Sequence, residues 1–240
     1  MAMTAMVNMD FPFLMKKPPL RGGGWWRYSV AMLNYTMRAF RRLATRGPLD
    51  TALYSYSVAR NAALSAYVDL RYAKKLARTR ITNDSNKEHH AIQHSAWHFL
   101  DSIFQQVTIL PDDVLVDVGC GDGRVIAYWL SLGLRNKMVG IEIDRAAALD
   151  TQRRFKDRAN VTIINDSAEK CADQCGGALF YLFNPFSGET LTSFEQVVRT
   201  INPRIVFYCY NDLSAFSDWK IEKYNQDQDQ QWRFAVLTRP

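Results

Sequence analysis

The sequence predicts an α/β protein in which a mostly parallel sheet of seven strands follows an α-helical N-terminal extension. From Pro111 onward, short apolar runs alternate with helical stretches, which is typical of βαβ units. Before that point, apolar residues recur at three- and four-residue steps, as they do in amphipathic helices. The last two apolar runs are separated by a polar stretch alone, which predicts a C-terminal antiparallel hairpin.

The composition is that of an ordinary globular protein. A chain of 240 residues with 48% hydrophobic and 22% charged residues excludes wholesale disorder and a coiled-coil rod, and has room for one catalytic-sized domain with an appendage. Four scattered cysteines fit neither a disulfide scaffold nor a zinc ribbon, which favours a reducing cytoplasm. The sequence has no apolar run of about 18 residues. Its first lysines follow an apolar segment, whereas a secretory signal has its positive charges before one, so neither secretion nor a membrane span is expected.

Three segments are expected along the chain: a flexible arm at 1–24, a basic helical extension at 25–86 and the α/β domain at 87–240. Residues 1–80 contain 14 Lys and Arg against three Asp, a net charge of +11, which leaves −5 on the rest of a chain whose total is +6. This basic front can contact an anionic partner or the periphery of a membrane, but basic helix faces are also often only solvated. It resembles no nucleic-acid motif, and no specific nucleic acid is predicted as a partner.

Apolar periodicity predicts three helices before the sheet. The first is expected at about 25–45, and Gly47-Pro48 breaks it. The second is expected at about 50–78. A turn at Asn83-Asp84-Ser85 then precedes the third helix, at about 87–106.

Seven apolar runs predict the strands. Their expected bounds are Val114–Val118, Met138–Ile143, Val161–Ile164, Ala178–Phe183, Ile205–Tyr210, Trp219–Tyr224 and Trp232–Thr238. The first five are expected to be mostly parallel, because helical stretches connect them. The last two should form the hairpin that ends the sheet.

The strongest chemical signal is the run Val114-Leu-Val-Asp-Val-Gly-Cys-Gly-Asp-Gly-Arg-Val125, in which a strand passes through three glycines into a helix. Glycines let backbone amides approach a ligand, and a helix start supplies unpaired N–H groups. A ligand pocket is therefore predicted at the carboxyl end of this strand. The spacing is DxGxGxG from Asp117; the dinucleotide pattern GxGxxG would need glycine at Arg124, which disfavours a nicotinamide-dependent oxidoreductase.

This stretch resembles the first motif of Rossmann-like S-adenosylmethionine-dependent methyltransferases, and three later landmarks continue the resemblance in order. Glu142 ends the second strand, where an acidic side chain can accept both ribose hydroxyls. Asp166-Ser167 follows the third strand, where the family contacts adenine. Leu182-Phe-Asn-Pro-Phe186 follows the fourth, where the family places substrate-facing residues. The resemblance implies a seven-stranded methyltransferase domain that covers residues 87–240.

The cofactor implied is S-adenosylmethionine, and no metal ion is expected. The methyl group of this cofactor should be transferred by in-line displacement to an oxygen or nitrogen of the acceptor. The expected cofactor-binding residues are Asp117, Gly119, Cys120, Gly121, Gly123, Glu142, Ile143, Asp166, Ser167 and Asn184.

The acceptor is less well specified by the sequence. The motifs look like those of bacterial Dot1-like methyltransferases, a resemblance that implies fold and cofactor rather than substrate. Asn184-Pro185-Phe186 is similar to the (N/D)PP(Y/F) tetrapeptide of amino-group methyltransferases, in which an amide oxygen and a backbone carbonyl accept hydrogen bonds from the amine, but it has one proline rather than two. A small-molecule or glycan acceptor is favoured, with a protein lysine or another amino group as the alternative. A binding module without catalysis is a third hypothesis.

All four histidines lie between positions 89 and 98. On the predicted third helix, His90, His94 and His98 would share one face, with the outer two roughly 12 Å apart, too far to hold one metal ion. In related enzymes this helix borders the cavity, so His90 or His94 is expected to act as a general base, with Asn184 beside the acceptor. The alternatives are a packed histidine row and a two-histidine metal site.

Overall fold

The computed structural model describes residues 36–37, 42–72, 89–90, 94–225 and 233–239. The predicted arm lies outside these residues, as does most of the predicted first helix, although residues 42–46 are helical. The chain divides into two compact units, residues 1–58 and 59–240. The domain boundaries expected after residues 24 and 86 stay predictions.

Helix α1 (Pro48–Tyr72) begins directly after Gly47, whose φ of +87° interrupts the helical backbone. The predicted break at Gly47-Pro48 is therefore confirmed. The last turns of this helix belong to the second unit, where Val68 and Tyr72 pack with the other residues of its hydrophobic core. The predicted end of this helix near residue 78 lies outside the described residues.

Helix α2 (Trp97–Phe104) is much shorter than the helix predicted at about 87–106. Its N-cap, Ala96, has extended backbone, and residues 89–90 are not helical. The predicted start near residue 87 is wrong because this backbone is bonded elsewhere: the His90 N–H donates to the Pro185 carbonyl at 2.9 Å. The predicted helical row of His90, His94 and His98 is wrong for the same reason, since His98 alone of the three lies on α2.

All seven predicted strands are present. They are β1 (Leu115–Val118), β2 (Met138–Ile141), β3 (Val161–Ile164), β4 (Leu179–Phe183), β5 (Arg204–Tyr208), β6 (Lys220–Asn225) and β7 (Arg233–Thr238). The order across the sheet is β3-β2-β1-β4-β5-β7-β6. Strands β1 to β5 are parallel, and β7 runs antiparallel to both β5 and β6. The mostly parallel sheet with a C-terminal hairpin is thus confirmed.

Two strands end earlier than predicted. The strand expected to reach Ile143 stops at Ile141, because the two residues paired with Ile141, which are Val118 and Ile164, are the last residues of β1 and β3. The strand expected to reach Tyr210 stops at Tyr208, because Cys209 has a left-handed backbone with φ of +50°.

Short helices connect the strands and cover the sheet. They are α3 (Arg124–Ser131), α4 (Arg145–Phe155), α5 (Ala168–Cys171), a 3₁₀ turn (Ala172–Cys175), α6 (Gly188–Val198) and a second 3₁₀ turn (Ser214–Phe216). Alternate residues of β1 enter two separate hydrophobic clusters, Leu115 in one and Val116 in the other. Strand order reverses between β1 and β4, so the carboxyl ends of β1 and β4 form the switch point where α/β sheets bind ligands.

None of the described helices has both the length and the apolar character of a membrane span.

Candidate functional site

The loop between β1 and α3 is held close to its neighbours by backbone bonds. The amides of Gly119 and Cys120 both donate to the Ile141 carbonyl, at 2.9 and 3.0 Å. Gly119 has φ of +72°, and a Cβ on it would lie 3.0 Å from the Pro185 Cβ. A side chain at this position would be strained and would push against the loop after β4.

The far end of the same loop packs on helix α4. Gly123 is the N-cap of α3, and a Cβ there would lie 2.5 Å from the Phe155 ring. The Thr151 hydroxyl donates to the Gly121 carbonyl at 2.7 Å. The glycines predicted from the motif therefore shape the loop and let it approach α4.

Glu142 stands at the carboxyl end of β2 with 3% of its surface exposed. One carboxylate oxygen accepts the Gly121 N–H at 2.7 Å, and the other accepts the Asp144 N–H at 2.8 Å. Burial raises the pKa of Glu142, and these hydrogen bonds partly oppose that shift. Each carboxylate oxygen can accept a second bond, so Glu142 can still receive two hydroxyl groups from a ligand.

Asp117 is a second buried carboxyl, on β1, with 3% exposure. Its Oδ2 has no hydrogen-bond partner among the described residues. Burial raises the pKa of Asp117 well above its usual value, and the nearby Glu142 charge adds a smaller shift in the same direction. A buried oxygen without a partner is an acceptor that a ligand donor could satisfy.

A pocket opens at the carboxyl ends of β1, β2 and β4. It is lined by His89, His90, Val118, Gly119, Ile141, Glu142, Ile143, Asp166, Ser167, Ala168, Phe183, Pro185 and Phe186. Five of the ten residues expected to bind the cofactor are among them, contributed by three separate loops. Gly121 is next to the pocket, because its N–H donates to the Glu142 carboxylate. Cys120 is buried close to Gly140.

The loop after β3 brings polar groups to the same pocket. The Ser167 N–H donates to Asp166 Oδ1 at 2.7 Å. The buried Ser167 Oγ has no hydrogen-bond partner within the part of the chain that the structure describes. Asn165 donates to the Glu142 carbonyl at 2.8 Å, which joins this loop to the end of β2.

The loop after β4 is strained at Asn184, whose φ is +42°. The Asn184 carbonyl lies 2.6 Å from His90 Nδ1, and His89 forms an antiparallel bridge with Phe186. These contacts bring both histidines to the pocket although they are far away in sequence.

A second cavity lies beside the pocket, and the two share Phe186. Its lining residues are Asn184, Phe186, Ser187, Gly188, Glu189, Leu191, Thr192, Asn211, Asp212, Ser214 and Ala215. These residues include two carboxylates and no Lys or Arg. Hydrogen bonds from Ser214 lower the pKa of Asp212.

The two other histidines lie elsewhere. His94 Nε2 is 3.8 Å from the buried Asp122 carboxylate, and the His98 ring lies 3.7 Å from the Phe99 ring at a tilt of 49°. Burial lowers the pKa of His98. Neither lines the pocket. Within the described ranges, no group of three or more His, Cys, Asp or Glu side chains could hold a metal ion.

The sequence did not reveal a buried ionic cluster beneath the glycine loop. The Asp122 carboxylate pairs with Arg154 at 3.0 Å, and Arg154 also pairs with Asp150 at 2.6 Å. The four-residue spacing of the last two residues is a signal for a helical ion pair, but it does not indicate that Asp122 is the shared partner.

No protein-family model matches the sequence, and no curated protein matches it. The methyltransferase domain of bacterial CtHen1 aligns with a TM-score of 0.50 and 12% identity, over 60% of this chain and 97% of that domain. Precorrin-6y C5,15-methyltransferase from Geobacter metallireducens GS-15 aligns with a TM-score of 0.46 and 12% identity, over 59% of this chain and 87% of that one. Ribosomal protein L11 methylase from Lactobacillus delbrueckii subsp. bulgaricus aligns with a TM-score of 0.46 and 15% identity, over 59% of this chain and 76% of that one.

The likeness to the CtHen1 domain agrees with the sheet topology. A dinucleotide-binding Rossmann sheet has the order 3-2-1-4-5-6, whereas this sheet inserts an antiparallel β7 between β5 and β6. The chain therefore has the Rossmann-like fold of class I S-adenosylmethionine-dependent methyltransferases, as its motifs predicted.

Proposed function

We propose that this protein is an S-adenosylmethionine-dependent methyltransferase. The observation that supports this most is the Glu142 carboxylate, which two backbone amides hold at the edge of a pocket that also contains Asp166 and Ser167. A preorganised carboxylate at the end of β2 suits a ribose, because it can accept both hydroxyls at once.

The other residues of the pocket fit the remaining parts of the cofactor. Ile143 and Ser167 would hold the adenine, the first by packing and the second through its hydroxyl. Asp117 Oδ2, which has no hydrogen-bond partner among the described residues, would accept a hydrogen bond from the ammonium of the methionine part, close to Gly119. Burial raises the pKa of both carboxyls, and a bound ligand with positive charge on its sulfonium and its ammonium would favour their ionised forms.

The bound cofactor would supply a methyl group that its sulfonium already makes electrophilic. The chain would then mainly align the acceptor atom with that methyl group and exclude water. Phe186 lines both the pocket and the second cavity, and Asn184 lines the second cavity, which favours that cavity as the place for the acceptor.

The favoured acceptor is an oxygen or nitrogen of a small molecule or glycan, because the second cavity is lined by hydroxyl, amide and carboxylate groups that can hydrogen-bond such a ligand. A protein lysine or another amino group is the alternative, supported by the similarity of Asn184-Pro185-Phe186 to the amino-group tetrapeptide.

Isothermal titration of the full chain with S-adenosylhomocysteine and with NAD tests the proposal. Binding of S-adenosylhomocysteine is expected, without binding of NAD. Binding of NAD alone would show a dinucleotide-dependent enzyme instead. If S-adenosylhomocysteine binds but no tritiated methyl group is transferred to any acceptor, the protein is a binding module.

A further inference from the structure

His90 is joined to the loop after β4 through both its backbone and its ring. Its N–H donates to the Pro185 carbonyl at 2.9 Å, and its Nδ1 lies 2.6 Å from the Asn184 carbonyl oxygen. The neighbouring bridge between His89 and Phe186 extends this pairing by one residue. His90 is therefore fixed on the loop that separates the pocket from the second cavity.

The contact with Asn184 determines where the imidazole carries its hydrogen. A carbonyl oxygen can only accept a hydrogen bond, so Nδ1 must be the donor. In the neutral ring, the lone pair is then on Nε2. His90 lines the cofactor pocket and bonds Asn184, which lines the second cavity, so this tautomer leaves a proton acceptor on a residue that contacts both the cofactor pocket and the loop of the acceptor cavity.

The same two bonds bear on the alternative acceptor. The amino-group tetrapeptide uses a backbone carbonyl of its loop to accept a bond from the amine. Here the carbonyls of Asn184 and Pro185 both accept bonds from His90. An amine would therefore share its backbone-carbonyl acceptor with His90 and have only the Asn184 amide oxygen to itself, whereas a hydroxyl needs one acceptor for its single proton.

We infer that His90 is the general base of the methyl transfer and that the acceptor atom is a hydroxyl oxygen; this inference rests on the proposed function. As the oxygen attacks the methyl carbon, a C–O bond forms and the C–S bond breaks. The electron pair of the C–S bond stays on sulfur, and His90 Nε2 takes the hydroxyl proton. The products are a methylated oxygen, S-adenosylhomocysteine and an imidazolium, which then releases its proton to water.

The second cavity narrows the class of acceptor. Two carboxylates, Glu189 and Asp212, are among its lining residues, together with the polar side chains of Asn184, Ser187 and Asn211. The residues described around it contribute no cationic side chain. An acceptor that carries phosphate or carboxylate would be repelled there, so the acceptor is a neutral or cationic hydroxyl compound.

The first test observes the tautomer directly and needs no acceptor. The full chain is labelled with ¹⁵N-histidine, saturated with S-adenosylhomocysteine and studied by long-range ¹H–¹⁵N correlation. The signals of His90 are identified by their loss in His90→Asn. We expect the pattern of a ring protonated at Nδ1, with an unprotonated Nε2. A ring protonated at Nε2 alone would overturn the inference.

The second test separates a base from a residue that only positions the loop. His90→Asn keeps an N–H at the position of Nδ1 but has no basic nitrogen, whereas His90→Ala loses both. Tritiated S-adenosylmethionine is supplied with the small-molecule fraction of a bacterial extract, and mass spectrometry locates the methyl group. Both variants should lose about a hundredfold or more in rate. Activity retained by His90→Asn, or methyl groups found on nitrogen alone, would overturn the inference.

Titration with S-adenosylhomocysteine distinguishes the two levels of failure. If wild type and both variants bind it within a few-fold of each other, a negative outcome in either test counts against the base alone. If wild type does not bind it, the proposed function itself fails.

Discussion

Arg124 and Asp69 form a buried ion pair that joins the helix after the glycine loop to helix α1. Arg124 Nε lies 3.1 Å from Asp69 Oδ1, and its Nη2 lies 2.5 Å from Oδ2. The two side chains are 15% and 2% exposed. Arg124 also donates to the Ser95 carbonyl at 3.3 Å. Arg124, which departs from the dinucleotide pattern, therefore has a structural role, because it holds the last turns of α1 against the start of α3.

The first prediction concerns this pair. Asp69→Ala should lower the free energy of unfolding by about 3–5 kcal/mol, because it leaves a buried guanidinium without its carboxylate. Asp218→Ala is the matched control, since it breaks a pair with Arg199 in which both side chains are exposed, and it should change stability little. Urea denaturation measures both. Equal effects of the two variants would contradict the importance of the buried pair.

The second prediction concerns the N-terminal extension. Deleting residues 1–80 removes Asp69 and Val68, so it should leave Arg124 unpaired, expose part of the core and cause aggregation. Deleting residues 1–58 keeps these contacts and should leave a chain that melts cooperatively. Light scattering and calorimetry compare the two. A 1–80 deletion that stays monomeric and melts cooperatively would show that α1 is a dispensable anchor.

The third prediction tests the ribose contact. Glu142→Ala should weaken binding of S-adenosylhomocysteine by about 1.5–3 kcal/mol for each charge-assisted bond lost. Glu222→Ala, on the exposed face of β6, is the matched control and should leave affinity unchanged. Isothermal titration gives both values. An unchanged affinity in Glu142→Ala would remove Glu142 from the cofactor site.

The fourth prediction follows from the raised pKa of Asp117. The folded chain holds this proton more tightly than the unfolded chain does. The resulting stabilisation is complete below the usual aspartate pKa of about 3.9 and is lost as pH rises through the higher folded pKa. The side chain introduced by Asp117→Asn has no proton to lose in this pH range, so the melting temperature of this variant relative to wild type should increase as pH rises.

Melting curves recorded from about pH 4 to about pH 8 test the pH trend. Asp212→Asn is the contrasting control. Hydrogen bonds from Ser214 lower the pKa of Asp212, so its carboxylate stabilises the fold above the usual pKa and that contribution is lost in acid. The melting temperature of Asp212→Asn relative to wild type should therefore decrease as pH rises. A parallel response of the two variants would refute the assignment for Asp117.

The local sequence determined the elements and the chemistry at their ends. Strand β3 has the bounds that its apolar run predicts, and the other six strands lie within two residues of prediction at all ends. For the central strands β1 and β2 this succeeds because a strand buried on both faces needs a short continuous apolar run, and after β1 a tight turn into a helix needs glycine. Glu142 could be placed because its position at the end of β2 follows from the strand itself.

Tertiary structure decided which distant groups meet. Periodicity predicted one helix through His90, yet that residue pairs with a loop 94 positions later and its ring bonds the Asn184 carbonyl. Asp69 and Arg124 are likewise 55 positions apart. Neither contact has a signature in the nearby sequence, because a hydrogen bond or ion pair between separate elements depends on how those elements pack. Helical preference around His90 was outweighed by backbone bonds that exist only once strand β4 is in place.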